Sequence, residues 1–433
     1  MKNKLNVLYL TEDYEPIYGG VTSVVKNSVR ALSKFANVTI GTVNPPKHLR
    51  SNFKEDQNFP AKIVRCKGHF NYITTNMSAN LTDSAFKKEI ESGGYDIIHC
   101  HFPLGLYKYA LKLRKKYQIP VAITAHSYYY PDFKAVIKNE AITRFAVKFV
   151  TKSLNKANRV FCVSGYAKNI LEQFGLKNSE VLPNAVDMTD FCPTDQNFKN
   201  EIIKKYNIKQ DDFVMISVGR LVSVKNFIFN IYAFSELHKQ FKNTKYLIVG
   251  DGELYDEMQK LINRLNLQDC CFLLGSIKNK KQLGAVYELS SIVSFMSIGD
   301  SCGLIQFEGA FFKKPTIALQ NTAVGEFLID NKNGVILEGN KPQDAEKDSI
   351  KMCFDEKVVL QQFVEKVGCL INNPPLLQEL GQNAYNEVFR TYDDTYASNL
   401  IETYKQIIKE FKASQKLTEK NYIKKTKKAK PAF

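Results

Sequence analysis

Two cations and two carboxylates in the second half of the chain are spaced as a ligand with both phosphate and hydroxyl groups would require. Arg220 and Lys225 follow an apolar run that ends at Val218, and Asp300 and Glu308 flank a glycine-containing loop that leads into a helical pattern. Cations at the carboxyl end of a parallel strand, beside a helix N-terminus, suit a diphosphate. Carboxylates accept paired hydrogen bonds from vicinal hydroxyls, as in a ribose or a hexose. These four residues predict a site for a phosphorylated sugar donor.

The same residues also allow a plainer interpretation. Basic pairs are common on surface loops, so Arg220 and Lys225 could be two solvated charges. Asp300 could cap the helix that follows it, with Glu308 solvated on the helix surface. A further turn, Gly250-Asp251-Gly252, allows close approach of a ligand to the backbone and a tight strand-to-helix connection equally well.

Strand and helix signals alternate on both sides of residues 183–210 and indicate the elements that position these residues. The predicted strands are 7–10, 38–42, 96–100, 121–124, 160–163 and 181–182 in the first half, and 213–218, 245–249, 271–274, 292–296 and 316–319 in the second. Predicted helices include 21–32, 104–117 and 135–155. This alternation is typical of parallel sheets, which bind ligands beyond the carboxyl ends of their strands. The sequence therefore predicts an α/β protein with two Rossmann-like domains facing a central cleft.

The composition argues against several classes of protein. No segment approaches the ~20 apolar residues that span a bilayer, and the apolar run 5–10 is too short for a signal peptide. We therefore expect a cytoplasmic protein, soluble or peripheral to a membrane. The nine cysteines form no CxxC pair or Cys/His cluster, which argues against zinc. No Asp-x-Asp triplet occurs, and two cations could stabilise a diphosphate without a metal ion, so neither a metal nor another cofactor is predicted.

The motifs, taken in order and spacing, resemble those of the retaining family 4 glycosyltransferases of the GT-B fold. The resemblance spans almost the whole chain and comprises Gly19-Gly20, Val163-Ser164, Pro183-Asn184-Ala185-Val186-Asp187, Gly219-Arg220-Leu221 with Lys225, and the spacing from Asp300 to Glu308. It implies that Arg220 and Lys225 neutralise the donor diphosphate and that Glu308 binds the ribose. It also implies catalytic roles for His126 and Asp300 at the donor sugar, and donor contacts from Cys302, Gly303 and Leu304 to the sugar, from Ile277 to the base, and from Gly19 and Gly20 to the phosphates.

Two departures from the family pattern concern the donor. The family usually has Glu where this chain has Asp300, and commonly has Ala where it has Gly309. Neither change removes a charge, so activity is still expected. Because aspartate is shorter by one methylene, either the contact to the sugar must shift or the donor must differ. His99 and His101 lie on one face of a predicted strand with no evident third metal ligand, so we interpret them as structural or acceptor-side residues.

The resemblance also gives functions to the predicted domains. Residues 1–187 are expected to bind the acceptor and residues 188–391 the nucleotide sugar, with residues 340–363 as a charged insertion of unclear structure. A helix at 392–411 is expected to pack back on the first domain, followed by a basic flexible tail at 412–433.

The charge distribution points to a partner for the first domain. The net charge is +12 for residues 1–190, −3 for residues 191–411 and +7 for residues 412–433. Lys148, Lys152 and Lys156 recur at helical spacing, and we expect the apolar residues between the basic ones to face the core, namely Ile142, Phe145, Phe149 and Val150. A basic helix face suits anionic lipid headgroups, whereas a surface that only aids solubility is the alternative.

Together these features predict a retaining, metal-independent glycosyltransferase peripheral to the inner face of the plasma membrane. It would move a hexose from a nucleotide-diphosphate sugar, expected to be UDP-linked such as UDP-glucose, to a lipid-linked saccharide or glycolipid of the cell envelope, forming an α-glycosidic bond. The alternative is a catalytically silent GT-B protein that acts as the partner subunit of another transferase. No nucleic-acid-binding signature accompanies the basic half.

Overall fold

A seven-stranded parallel sheet organises the first half of the computed structural model, which describes residues 4–16, 19–45, 56–71, 76–79, 83–344 and 348–428. The strands of this half are β1 (Leu5–Leu10), β2 (Ala36–Val43), β3 (Lys62–Cys66), β4 (Gly68–Asn71), β5 (Asn76–Ala79), β6 (Ile97–Cys100), β7 (Val121–Ala125), β8 (Arg159–Cys162) and β9 (Ser179–Val181). The sheet has the order β3-β2-β1-β6-β7-β8-β9, and β4 pairs with β5 as a separate antiparallel hairpin. Its helices are α1 (Gly20–Leu32), α2 (Ser84–Glu91), α3 (Gly105–Tyr117), α4 (Tyr130–Val136), α5 (Glu140–Leu154) and α6 (Gly165–Gln173).

A six-stranded parallel sheet organises the second half. Its strands are β10 (Phe213–Val218), β11 (Thr244–Val249), β12 (Cys271–Gly275), β13 (Ile292–Phe295), β14 (Thr316–Leu319) and β15 (Gly334–Leu337), in the order β12-β11-β10-β13-β14-β15. The hairpin β16 (Asn340–Asp344) and β17 (Asp348–Phe354) follows. The helices are α7 (Gln196–Lys205), α8 (Phe227–Gln240), α9 (Tyr255–Arg264), α10 (Lys280–Leu289), α11 (Leu304–Phe311), α12 (Glu356–Asn372), α13 (Pro374–Ala384) and α14 (Thr391–Lys428).

Helices cover both faces of each sheet, and the strands are apolar for that reason. In β1, Leu8 and Leu10 join one buried cluster, whereas Val7 and Tyr9 join another on the opposite face. Alternate residues of a strand point to opposite faces, so a strand buried on both sides must be apolar at consecutive positions. This architecture confirms the predicted α/β class with two Rossmann-like units.

The last helix, α14, returns to the first sheet. Tyr404 and Leu400 are fully buried in the same cluster as Val25 and Val29 of α1. The hydroxyl groups of Tyr404 and Tyr9 lie 3.1 Å apart. A hydrogen bond buried this deeply ties the end of the chain to the centre of the first sheet.

Several local predictions were wrong. Residues 135–155 form two helices rather than one, because the chain breaks at 137–139 and the Asn139 side chain caps α5 by accepting from the Ile142 amide. Residues 340–363, for which the sequence predicted no defined structure, contain β16, β17 and the start of α12. The expected flexible tail is helical from 412 to Lys428, since a run of Lys, Gln and Ala favours continuation of a helix that is already anchored. Residues 429–433 lie outside the described residues.

Candidate active site

The carboxyl ends of both sheets meet at a cleft, where direct contacts join the two halves. Ser164, which caps α6, also donates from Oγ to the Ser301 carbonyl at 2.6 Å. The carboxylate of Glu326 accepts from the amides of Gly165 and Tyr166 at 2.8 and 2.7 Å. A carboxylate at a helix N-terminus is stabilised by the unpaired amides there. These hydrogen bonds therefore join the two domains at the edge of the cleft.

The predicted diphosphate loop and the predicted sugar loop are in contact. Lys225 Nζ lies 2.5 and 2.6 Å from the two carboxylate oxygens of Asp300, and both side chains are largely buried. The carbonyl of Val224 accepts from the Ile298 amide and from Ser297 Oγ, each at 3.0 Å. The loop after β10 is thus fastened to the loop after β13. Arg220, by contrast, is exposed, and its guanidinium makes no hydrogen bond or ion pair within the described part of the chain.

Gly303 begins α11 in a conformation and a space that require glycine. Its φ is +73°, and a Cβ there would lie 2.6 Å from Val324 and 2.7 Å from Phe295. The amides of Leu304 and the next residues therefore open toward the cleft as a helix N-terminus, which favours an anion. Across the cleft, a Cβ on Gly20 would lie 4.0 Å from the Leu304 side chain. The Gly19-Gly20 loop thus faces the start of α11, as close approach to the donor phosphates would require.

Glu308 lies one turn inside α11 with its side chain turned toward α10. Tyr287 donates its hydroxyl to Glu308 Oε2 at 2.7 Å, and Lys280 donates to Oε1 at 3.1 Å. Tyr287 is completely buried, and burial beside the Glu308 carboxylate raises its pKa well above the usual value. The tyrosine thus stays protonated and keeps donating. Sequence reasoning missed both partners, because Lys280 and Tyr287 lie two turns apart on α10, a different helix from the one that carries Glu308.

Ile277 and Cys302 lie next to these groups. Ile277 is half-buried against the apolar cluster of the second domain, three residues before Lys280. Cys302 is buried, and its carbonyl accepts from the Gln306 side chain at 2.8 Å. Burial raises the pKa of the Cys302 thiol to about 12, so the thiol stays neutral and packs as an apolar group.

His126 belongs to a chain of three histidines. Its Nε2 lies 2.9 Å from Nδ1 of His101, and the ring of His101 stacks on His99 at 4.7 Å. His99 in turn contacts the hydroxyls of Tyr404 at 2.6 Å and Thr124 at 2.7 Å. Desolvation by burial lowers the pKa of His126 to about 3, so its imidazole is neutral at pH 7. A neutral imidazole can orient a sugar hydroxyl, but it carries no proton to spare as an acid.

Glu12 is a buried carboxyl that sequence reasoning missed. It follows β1, and its Oε1 accepts from the Leu106 amide at 2.7 Å, which holds the start of α3. Burial raises its pKa to about 7. Its Oε2 and the Nε2 of His101 are buried and have no hydrogen-bond partner among the described residues. The only signal in the sequence was a charged residue two positions after the predicted strand 7–10.

Neither a metal centre nor a membrane-spanning helix is found among the described residues. No group of three or more His, Cys, Asp or Glu side chains there is arranged to hold a metal ion. Within the same ranges, none of the helices combines the length and the apolar character that crossing a bilayer demands.

Comparison with known proteins connects this geometry to a family. Residues 18–190 match the family described as Glycosyltransferase Family 4, and residues 198–367 match Glycosyl transferases group 1. The chain is 23% identical over 424 residues to the α-monoglucosyldiacylglycerol synthase of Acholeplasma laidlawii, covering 95% of this chain and 98% of that one.

Solved structures share the fold. Sucrose-phosphate synthase from Thermosynechococcus elongatus superposes with a TM-score of 0.71 at 17% identity, over 94% of this chain and 100% of that one. HepE of Anabaena, solved with UDP and glucose, superposes with a TM-score of 0.65 at 14% identity, over 92% and 100%. The GT-B fold predicted from the motifs is confirmed.

Proposed function

The chain belongs to glycosyltransferase family 4, and we propose that it transfers a hexose from a UDP-sugar to a lipid-linked saccharide or glycolipid of the cell envelope, with retention of the α configuration. The observation that carries the donor half of this proposal is the Lys225–Asp300 pair, at 2.5 Å, beside the oriented carboxylate of Glu308. Lys225 and Asp300 thus meet at the loop that leads into α11, and Glu308 lies one turn inside the same helix.

The electrostatics of the site favour a dianionic leaving group. Arg220 is free to turn toward a diphosphate, Lys225 is already held in the cleft, and the amides at the start of α11 add positive potential. Fixed donors of this kind stabilise charge that develops on the leaving phosphate without a metal ion. We therefore propose metal-independent transfer, for which turnover should persist in excess EDTA.

A front-face reaction suits the residues at hand. The bond between the sugar C1 and the phosphate oxygen breaks, the acceptor hydroxyl oxygen bonds to C1 on the same face, and the acceptor proton passes to the leaving phosphate oxygen. Asp300 would hold a sugar hydroxyl. Burial lowers the pKa of His126 to about 3, which makes it a weak base, so His126 would orient the sugar rather than take the acceptor proton.

The acceptor part of the proposal rests on the similarity to the Acholeplasma laidlawii protein and on the net positive charge of the first domain. The similar protein from Acholeplasma laidlawii is named as a glycolipid synthase, and residues 1–190 of this chain carry a net charge of +12. A basic acceptor domain is attracted to anionic headgroups, at about 1 kcal/mol per cation near the surface. We place the enzyme peripherally on the cytoplasmic membrane face for that reason.

A catalytically silent partner subunit is the competing function, and it is favoured by the departure at Asp300. A thermal-shift panel of UDP- and GDP-sugars, followed by UDP-release assays with glycolipid vesicles, separates the two. We expect UDP-hexoses to stabilise the protein and to release UDP when acceptor is present. Binding without UDP release from any donor, with or without acceptor, would favour the silent partner.

A further inference from the structure

Four large apolar side chains are exposed together on α4 and α5, contrary to expectation. The exposed fraction is 81% for Val136, 55% for Ile142, 71% for Phe145 and 68% for Phe149. The sequence had suggested that Ile142, Phe145 and Phe149 face the core, and this was wrong. A soluble monomer rarely exposes two phenylalanines side by side, so this surface has a use.

Helix geometry shows why the prediction failed. The buried face of α5 consists of Thr143, Val147, Thr151 and Leu154. At about 100° per residue, Ile142, Phe145 and Phe149 project from the opposite side of the helix. The core side of α5 pairs two threonines with Val147 and Leu154, whereas its largest apolar side chains, Phe145 and Phe149, lie on the solvent side. We call Val136, Ile142, Phe145 and Phe149 the α5 apolar strip.

Lysines border the strip and are unneutralised. Lys138, Lys148, Lys152 and Lys156 are all exposed, and no carboxylate pairs with them in the described ranges. Glu140, the one acidic residue of α5, is already bound by Lys134 at 3.0 Å and by Arg144 at 3.0 Å. The strip is thus an apolar ridge with unpaired lysines along one side of α5, at 148 and 152, and beyond its two ends, at 138 and 156.

The same surface leads to the cleft. Pro131 of α4 lies where a Cβ on Gly299 would approach it to 3.3 Å, and Gly299 precedes Asp300. The hydroxyl of Tyr128, just before α4, lies 3.5 Å from the Ile298 carbonyl. A surface held against the strip would therefore be one short helix away from the donor-sugar loop.

We propose that the α5 apolar strip inserts into the interfacial layer of an anionic lipid bilayer, with Lys138, Lys148, Lys152 and Lys156 on the headgroups. The inference deepens the proposed function, on which its choice of a lipid acceptor rests. An amphipathic helix with aromatic residues on one side and lysines around them is suited to this position. Charge complementarity favours an anionic bilayer over a second copy of the chain, because a second copy would bring the same lysines against these lysines.

The chain offers a clean test because it contains no tryptophan. In full-length Phe145→Trp protein, we expect a blue-shifted emission on adding vesicles of phosphatidylcholine with 30% phosphatidylglycerol, and quenching by brominated acyl chains. Phe35→Trp is the matched control, since Phe35 is 48% exposed but lies outside the strip. It should show neither change.

Binding variants complete the test. Phe145→Ser with Phe149→Ser should lower co-sedimentation with anionic vesicles about tenfold or more, while Phe35→Ser should not. Lys148→Gln with Lys152→Gln should abolish the preference for anionic over neutral vesicles. The circular-dichroism spectrum and the urea-unfolding midpoint should be unchanged in all of them, which shows that they are folded.

These assays contain neither donor nor acceptor, so they stand apart from the proposed activity. If the Phe145→Trp protein inserts into vesicles but no sugar is transferred, the proposed function is wrong and the proposed membrane surface stands. If the double serine variant binds vesicles as well as the wild type does, the α5 apolar strip does not insert into the bilayer. The same conclusion would follow if the protein is a dimer that dissociates in this variant while its vesicle binding stays the same.

Discussion

The Lys225–Asp300 pair leads to opposite predictions for its two members when the ligand is UDP alone. UDP carries the diphosphate but no sugar. If Lys225 serves the diphosphate and Asp300 serves the sugar, only the first should matter for UDP. In Lys225→Ala, UDP should bind more weakly. In Asp300→Asn, it should bind as well as in the wild type or better.

The magnitudes follow from the contacts. A hydrogen bond to a charged group contributes about 1.5–3 kcal/mol, so loss of Lys225 should weaken UDP binding about 10- to 150-fold. The pair must open when Lys225 turns to the phosphate. Its side chains are 17% and 20% exposed, so solvent screens the pair only in part, and the attraction lost is about 1 kcal/mol or less. Asp300→Asn should therefore tighten UDP binding by up to about fivefold.

Isothermal titration calorimetry with UDP measures both effects directly. Lys239→Ala is the charge control, because Lys239 pairs with Glu236 at 2.6 Å and is 65% exposed. It removes one cation and should leave UDP affinity unchanged. With UDP-glucose as ligand, Asp300→Asn should lose the additional affinity that the sugar gives to the wild type.

Equal weakening of UDP binding by Lys225→Ala and Asp300→Asn would refute this division of roles. That result would mean that Asp300 shapes the phosphate site itself. The departure from the family's glutamate would then say nothing about the donor sugar.

Three further predictions concern supporting residues. Tyr287→Phe removes a hydrogen bond to Glu308, so steady-state kinetics should show the donor KM raised about tenfold with kcat less affected; an unchanged KM would contradict the role of Tyr287. Glu326→Gln should lower the free energy of unfolding in urea by about 1 kcal/mol, because a neutral amide caps α6 less well than a carboxylate. Equal unfolding midpoints in the variant and the wild type would contradict this capping role. Glu12, with its folded-state pKa raised to about 7, takes up a proton before the unfolded chain does and so stabilises the fold as pH falls. The buried histidines, with lowered pKa values, act in the opposite sense below pH 6.5. The free energy of unfolding, measured by urea titration, should thus fall between pH 7.0 and pH 5.5 by about 1–2 kcal/mol more in Glu12→Gln than in the wild type. An equal fall in both proteins would contradict the raised pKa of Glu12.

The donor-side prediction was possible because its residues sit in local motifs at strand ends. Arg220 and Lys225 follow β10 directly, and Gly303 and Glu308 lie on one short loop and helix. In parallel sheets, such positions converge whatever the details of packing. The contact of Lys225 with Asp300 follows from the adjacency of β10 and β13.

What could not be predicted depends on contacts between distant segments. Tyr287 reaches Glu308 from another helix, and Tyr404 reaches His99 from the end of the chain. The burial of α5 was misassigned because apolar residues lie on both sides of this helix, and its buried face mixes Thr143 and Thr151 with Val147 and Leu154. Periodicity identifies an amphipathic helix, but it does not say which side the fold covers.

Transfer of labelled hexose tests the central claim most directly. Full-length protein is incubated with a radiolabelled UDP-hexose and anionic vesicles that contain a glycolipid acceptor, and the label in the extracted lipid is measured with its anomeric configuration. We predict an α-linked product, formed in EDTA and lost in Lys225→Ala and Glu308→Gln. Protein that binds UDP-sugars yet forms no glycolipid product from any of them, or forms a β-linked one, would contradict it.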